Sequence, residues 1–265
     1  MKQPTPDGIP SILLKKCSQA LIYPLQKILS VSVSEGKFPT IWKKSFVTPT
    51  YKQGDKFSVS NYRPICFMCP IASLLENIIN TKLYSQVSRF ISPKQHGFLP
   101  GKSVTTNLLE LPDMVTKAFG INSQVDAIYL DLAKAFDTVD HNKLLNKLSY
   151  FGIKGTLLEW FASYLSGREH IILVNGNQSN PYKVTSGVAQ GSRLGPLLFD
   201  LFINDLVEVV KHSEITLFAD DCRISKQINN SQDSYDLQRD HERVIKWVKA
   251  NELTINKDKF RTSLK

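Results

Sequence analysis

The stretch EITLFADDCRISKQI, residues 214–228, reads as two short β-strands, EITLFA and CRISKQI, with Asp220 and Asp221 between them as a two-residue hairpin turn. Adjacent like charges repel, and a half-buried carboxylate loses hydration, so this pair needs compensation. A bound cation supplies it. A solvated turn, in which aspartate side chains bond to nearby backbone, supplies it equally well, and the pair alone leaves both readings open. A third carboxylate bears on the choice. In QVDAIYLDLA, residues 124–133, alternation puts Ala127, Tyr129 and Asp131 on one face and Ile128, Leu130 and Leu132 on the other. Asp131 therefore arrives at the end of a half-buried strand face. Two divalent ions about 4 Å apart, held by a few carboxylates from adjacent strand ends, suit in-line phosphoryl transfer.

Composition sets wider bounds. The chain has 265 residues and 42% hydrophobic content, enough for a sizeable core, and its 33 Lys+Arg against 24 Asp+Glu give a net charge of +9. Such an excess favours a polyanionic partner. Cys17, Cys66, Cys69 and Cys222 show no secreted spacing, and the single C-x-x-C, CFMC, lacks a second Cys or His pair for zinc. Reduced thiols in an intracellular protein are expected. No signal-peptide stretch and no apolar run of transmembrane length occur, so the expected location is the nucleus or cytoplasm, without a membrane partner.

Outward from the two strands, the pattern is mixed. PSILLKKCSQALIYPLQKIL, residues 10–29, has helical spacing with Pro24 as the expected break. SFVTPTYKQGD and NYRPICFM read as extended segments that carry Lys52 and Arg63 at their edges. Helices are expected over 70–90 and 103–119, and again after Asp140 as N-cap and around Leu157–Leu165. HIILVNGNQSNPYKVTSG reads as a hairpin turning at Asn175–Gly176, and GVAQGSRLGPLLFDLFINDLVEVV as a glycine-rich loop leading into one long apolar helix. The class is α+β.

The ordered set NYRPI, QHGF, YLDLAKAFDTVDH, GVAQGSRLGPLLFDLFINDL, LFADD and WVKANELTINKDK resembles the reverse transcriptase domain of non-LTR (LINE-like) retrotransposons, from about residue 7 to the end. That resemblance implies right-hand polymerase fingers and palm, with an antiparallel palm sheet packed on helices. It divides the chain into a helical extension over 1–44, fingers over 45–123 and palm over 124–265, with fingers elements interleaved at 140–190. No room is left for a thumb, nor for a preceding endonuclease, so the chain is expected to be a fragment. The implied activity is RNA-directed DNA synthesis on an RNA template and DNA primer from deoxynucleoside triphosphates, with two Mg²⁺ ions, Mn²⁺ being a possible substitute. A nucleotidyl cyclase would share the two-metal logic but not NYRPI and QHGF in order.

Residue by residue, the resemblance makes Asp131, Asp220 and Asp221 the catalytic metal ligands, expected to converge within bridging distance of one or two ions. It places Phe136 against the sugar 2′ position, although a plain core Phe reads the same way. Gln190 and Gly191 would lie under the incoming nucleotide, Arg63 and Lys52 would grip the triphosphate, and Lys259 would sit near the leaving pyrophosphate. Lys52 and Lys259 read equally as solvated surface charges. Lys102 is expected, with Lys52 and Arg63, to hold duplex phosphates. Three departures from the family pattern stand out: Ala189 for Pro, Leu99 for a basic residue, and Arg193 for an aliphatic one in a loop that should pack closely. Arg193 and the truncation support a competing reading, a remnant that at most binds nucleic acid without catalysis.

Overall fold

The computed structural model describes residues 5–256 and 261–264, which Lys259 falls outside. The chain forms two compact units, residues 1–87 with 141–195, and residues 88–140 with 196–265. Its first stretch holds α1 (Ser11–Lys16), α2 (Ser18–Ser34), β1 (Lys44–Tyr51), β2 (Tyr62–Phe67) and α3 (Pro70–Val87). There follow α4 (Val104–Phe119), β3 (Gln124–Asp131) and α5 (Ala135–Thr138), then α6 (His141–Tyr150), α7 (Thr156–Leu165), β4 (Arg168–Val174), β5 (Asn177–Gln178) and β6 (Tyr182–Val184). The last stretch holds α8 (Gly195–Ile203), α9 (Leu206–Val209), β7 (Glu214–Phe218), β8 (Asp221–Ile228), α10 (Ser231–Ala250) and β9 (Arg261–Leu264).

In the first unit the strands run β2-β1-β4-β5, with β6 also on β4; β1 pairs antiparallel with β2 and parallel with β4. Asn175 (φ 51°) and Gly176 (φ 82°) turn the β4–β5 hairpin as expected, both central residues having the positive φ of a type I′ turn. An aromatic cluster fills the core: Trp160 stacks on Tyr164 at 5.5 Å, and Phe38 meets both rings edge-on. Pro24 does not break the helix. Cys17 separates α1 from α2, and α2 continues through Pro24. A proline inside a helix costs about 3 kcal/mol. Leu21, Leu25 and Leu29 on the same face line an apolar groove of about 860 Å³ with Ile71 and Leu75 of α3. It is against α7 that α2 packs, with Trp160 Nε1 donating to the buried Ser32 Oγ at 3.0 Å, and that packing offsets the local cost.

The second unit is built on an antiparallel sheet, β7-β8-β3-β9. Helix α4 packs on β3 and β7, and α10 packs on β8. Ala127 and Ile128 are both buried, at 4% and 6% exposure, so β3 is covered on both faces rather than half-buried by alternation. Ser103 caps α4 with a capping box to Thr106. The single long helix expected after the glycine-rich loop is instead two, because Asn204 leaves the helix to bond elsewhere: its Oδ1 accepts from Ser92 N–H at 2.7 Å and its Nδ2 donates to Phe90 O at 2.9 Å.

Candidate active site

The acidic turn differs from expectation by one residue. Phe218 pairs with Asp221, so the turn residues are Ala219 and Asp220, and Asp221 opens β8. The register follows from burial: pairing Leu217 with Cys222 places a 0% and a 3% exposed side chain in the core, and a one-residue slip would turn them outward. Ala219 takes φ +51°, a left-handed conformation that a non-glycine residue adopts only under tertiary constraint. Across the sheet, Asp131 lies directly opposite Asp221 as the last pair of the β3–β8 ladder. Directly opposed residues have Cβ atoms about 4.5–5.5 Å apart. The three aspartates thus stand at one end of one sheet, but among the described residues no group of three or more His, Cys, Asp or Glu side chains is gathered to hold a metal ion. The carboxylate donors and the ladder suit a hard divalent ion.

Asp131 is further anchored by a residue absent from the sequence-based candidates. Asn256 Nδ2 donates to Asp131 Oδ2 at 2.9 Å, and Asn256 N–H donates to Asp131 O at 2.8 Å. The LTIN segment thereby continues the sheet beside the strand end, with Ala133 N–H donating to Thr254 O at 2.7 Å. Phe136, on α5, stacks on the buried Phe199 at 4.3 Å and receives the edge of Phe98 at 5.9 Å. Its ring is half-buried, so a core contact and an open face coexist.

The remaining candidates lie in the first unit. The β1–β2 ladder sets Thr50 opposite Arg63, and Lys52 N–H donates to Asn61 O at 2.9 Å, continuing it. Alternation then makes Lys52 and Arg63 diagonal neighbours on one face, both exposed. The AQGS loop backs onto β2: Cys66 N–H donates to Gln190 O at 2.7 Å. Gly191 has φ +106°, and a Cβ there would lie 2.7 Å from Cys66 O, so only glycine fits. Beneath the loop, the fully buried Glu76 accepts from Arg193 N–H through Oε2 and from Tyr164 Oη through Oε1, each at 2.8 Å. Burial pushes the Glu76 carboxyl up, opposed by the nearby Arg168 guanidinium and by these donors. The Arg193 side chain is exposed, so the charge that was expected to disturb a close-packed loop points to solvent while its backbone does the packing.

Sequence comparison decides the family. Residues 43–265 match the model for reverse transcriptase (RNA-dependent DNA polymerase). The chain belongs to the reverse transcriptase family. Its relatives include proteins of transposons and retrotransposable elements. It is 28% identical over 272 residues, 97% of the chain, to a probable RNA-directed DNA polymerase from transposon X-element of Drosophila melanogaster, of which it covers 29%. It is also 29% identical over 77% of its length to the corresponding polymerase from transposon BS of the same fly, covering 23% of that protein. The reverse transcriptase domain thus spans under a third of these relatives. Among solved structures, apo telomerase from Candida tropicalis truncated from its C-terminal domain superposes with a TM-score of 0.59 at 12% identity, over 84% of this chain and 50% of that one. The fold is that of right-hand polymerase fingers and palm, α+β with an antiparallel sheet packed on helices. Among the described residues no helix is long and apolar enough to cross a membrane.

Proposed function

We propose that this reverse transcriptase domain is the core of an RNA-directed DNA polymerase that extends a DNA primer on an RNA template from deoxynucleoside triphosphates, in the nucleus or cytoplasm. The observation that carries the reading is the register that sets Asp131 opposite Asp221, with Asp220 in the adjoining turn. Asp131, Asp220 and Asp221 would hold Mg²⁺, or Mn²⁺ in its place, and the chemistry supplied there would be a more acidic primer 3′-hydroxyl and charge neutralisation on the triphosphate. Arg63 and Lys52 bind phosphate oxygens, Gln190 hydrogen-bonds the sugar above Gly191, and Phe136 excludes a ribose 2′-hydroxyl by contact. Lys259 serves the leaving pyrophosphate, while Lys102, Lys52 and Arg63 contact template-primer phosphates, so binding weakens with salt. The β7-β8-β3-β9 sheet is the palm. Along the chain, 1–44 extends the fingers, 45–123 forms them, and 124–265 forms the palm with 140–190 returning to the fingers; residues 88–123 share a compact unit with the palm sheet.

The test is primer extension on an RNA template with Mg²⁺, beside Asp220→Asn, which removes a charged ligand at nearly constant size. Extension by the parent and its loss in the variant are expected, together with a Mg²⁺-dependent rise in the parental melting temperature that the variant lacks. A parent that does not extend, with the same Mg²⁺ response in both proteins, would replace this reading with a non-catalytic remnant.

A further inference from the structure

We infer that Gln95 is a positioning residue for the acidic turn: its buried carboxamide accepts the Ala219 N–H and thereby fixes where Asp220 stands. The inference rests on the polymerase reading above. In a two-residue hairpin the amide of the first turn residue has no partner within the hairpin, and Ala219 is buried at 3% exposure, so water does not supply one. Gln95 Oε1 does, at 3.0 Å, and the same oxygen accepts from Gly97 N–H at 2.7 Å. Gln95 is itself only 2% exposed.

The segment that delivers this side chain is tied to the sheet edge. Gln95 forms a parallel bridge with Leu217: His96 N–H donates to Leu217 O at 2.8 Å, and Leu217 N–H donates to Lys94 O at 2.9 Å. Leu217 O also accepts from Asn107 Nδ2 at 3.1 Å. The His96 ring is clamped between Thr106 Oγ1 at 2.8 Å and Glu110 Oε1 at 3.1 Å, which fastens the segment to α4. Gly97 permits the approach, since a Cβ there would lie 2.5 Å from Ala219 N. Q, H and G of QHGF thus each have a distinct task in seating the turn. A carboxamide is also the fitting chemistry, because it offers an acceptor without adding negative charge beside Asp220 and Asp221.

The experiment uses the intact polypeptide and two variants, Gln95→Met, which keeps volume without the acceptor, and Gln95→Glu, which keeps the acceptor. Amide hydrogen exchange resolved to Ala219 reads the contact directly, and steady-state primer extension reads its consequence. In Gln95→Met, Ala219 protection should fall on the order of 10–100-fold while Ile224 in the neighbouring strand keeps its own. kcat should fall by roughly the same factor, with KM for the nucleotide changed less than about threefold, as expected for a displaced metal-ligand turn. Gln95→Glu should keep Ala219 protected, while its added negative charge leaves kcat between those of Gln95→Met and the parent. Unchanged Ala219 protection in Gln95→Met, or lost protection with unchanged kcat, overturns the inference while leaving the polymerase reading intact. Should Gln95→Met not fold, loss of Ala219 protection in the folded Gln95→Glu protein overturns it equally. An inactive parent removes the polymerase reading, and the positioning role with it, whatever the exchange shows.

Discussion

The AQGS loop and the acidic turn are both irregular segments held from beneath by one buried side chain, yet the two side chains differ in charge. Under the loop it is Glu76, whose carboxylate takes the Arg193 N–H and sits near the buried Arg168. Under the turn it is Gln95, a neutral amide. The difference follows from the neighbours. A carboxylate is compensated beside a guanidinium, whereas next to two aspartates it would add repulsion to a site that already carries too much negative charge. The second unit does contain a buried carboxylate, Asp200, and among the described residues neither of its oxygens has a hydrogen-bond partner. Glu76 is therefore a paired buried acid and Asp200 an unpaired one.

The strongest way to break this comparison is Glu76→Ala. It strips an acceptor from Tyr164 and Arg193 and leaves Arg168, 4% exposed, without its counter-charge. A loss of about 3–5 kcal/mol in urea unfolding is expected. A loss below about 1 kcal/mol would mean the loop is seated by its β2 contact alone.

Asp200→Asn should act in the opposite direction. Desolvation pushes the Asp200 carboxyl up from 3.8 to about 8, with no nearby group opposing it. A carboxyl raised on folding keeps its proton in the native state while the unfolded chain releases it, so its contribution is present below about pH 4 and is lost as pH rises towards 8. Between those limits the parent should lose stability with pH. The Asn variant should lose less, and should be the more stable protein at pH 8 by about 1–3 kcal/mol. Thermal melts of both proteins from pH 4 to pH 8 would show this; parallel curves would remove Asp200 as the unpaired acid of the comparison.

The smallest expected effect is a backbone one. Gly191→Ala places a Cβ 2.7 Å from Cys66 O at φ +106°, and should cost about 1–3 kcal/mol in the same unfolding measurement. The matching Gly97→Ala, whose Cβ would meet Ala219 N at 2.5 Å, sharpens the contrast, because it should also deprotect the Ala219 amide whereas Gly191→Ala should not.

What the sequence determined by itself was local. Alternation in QVDAIYLDLA marked the strand that carries Asp131, the strand-like runs EITLFA and CRISKQI marked the hairpin around the acidic turn, Asn175–Gly176 marked a second hairpin, and six motifs in order marked the family. These signals survive in one dimension because strand period and turn chemistry are properties of neighbouring residues. Pro24 and the Asp220–Asp221 turn were misread for the same reason: local preference was outweighed by packing along α2 and by the burial of Leu217 and Cys222. Only the tertiary structure could nominate Gln95, Asn256 and Glu76. Their partners lie 124, 125 and 117 residues away, and each acts through a hydrogen bond to a main-chain or carboxylate atom that leaves no pattern in the residues around it. A buried amide or acid looks like any other polar residue until the chain closes over it and the unpaired N–H it satisfies comes into being.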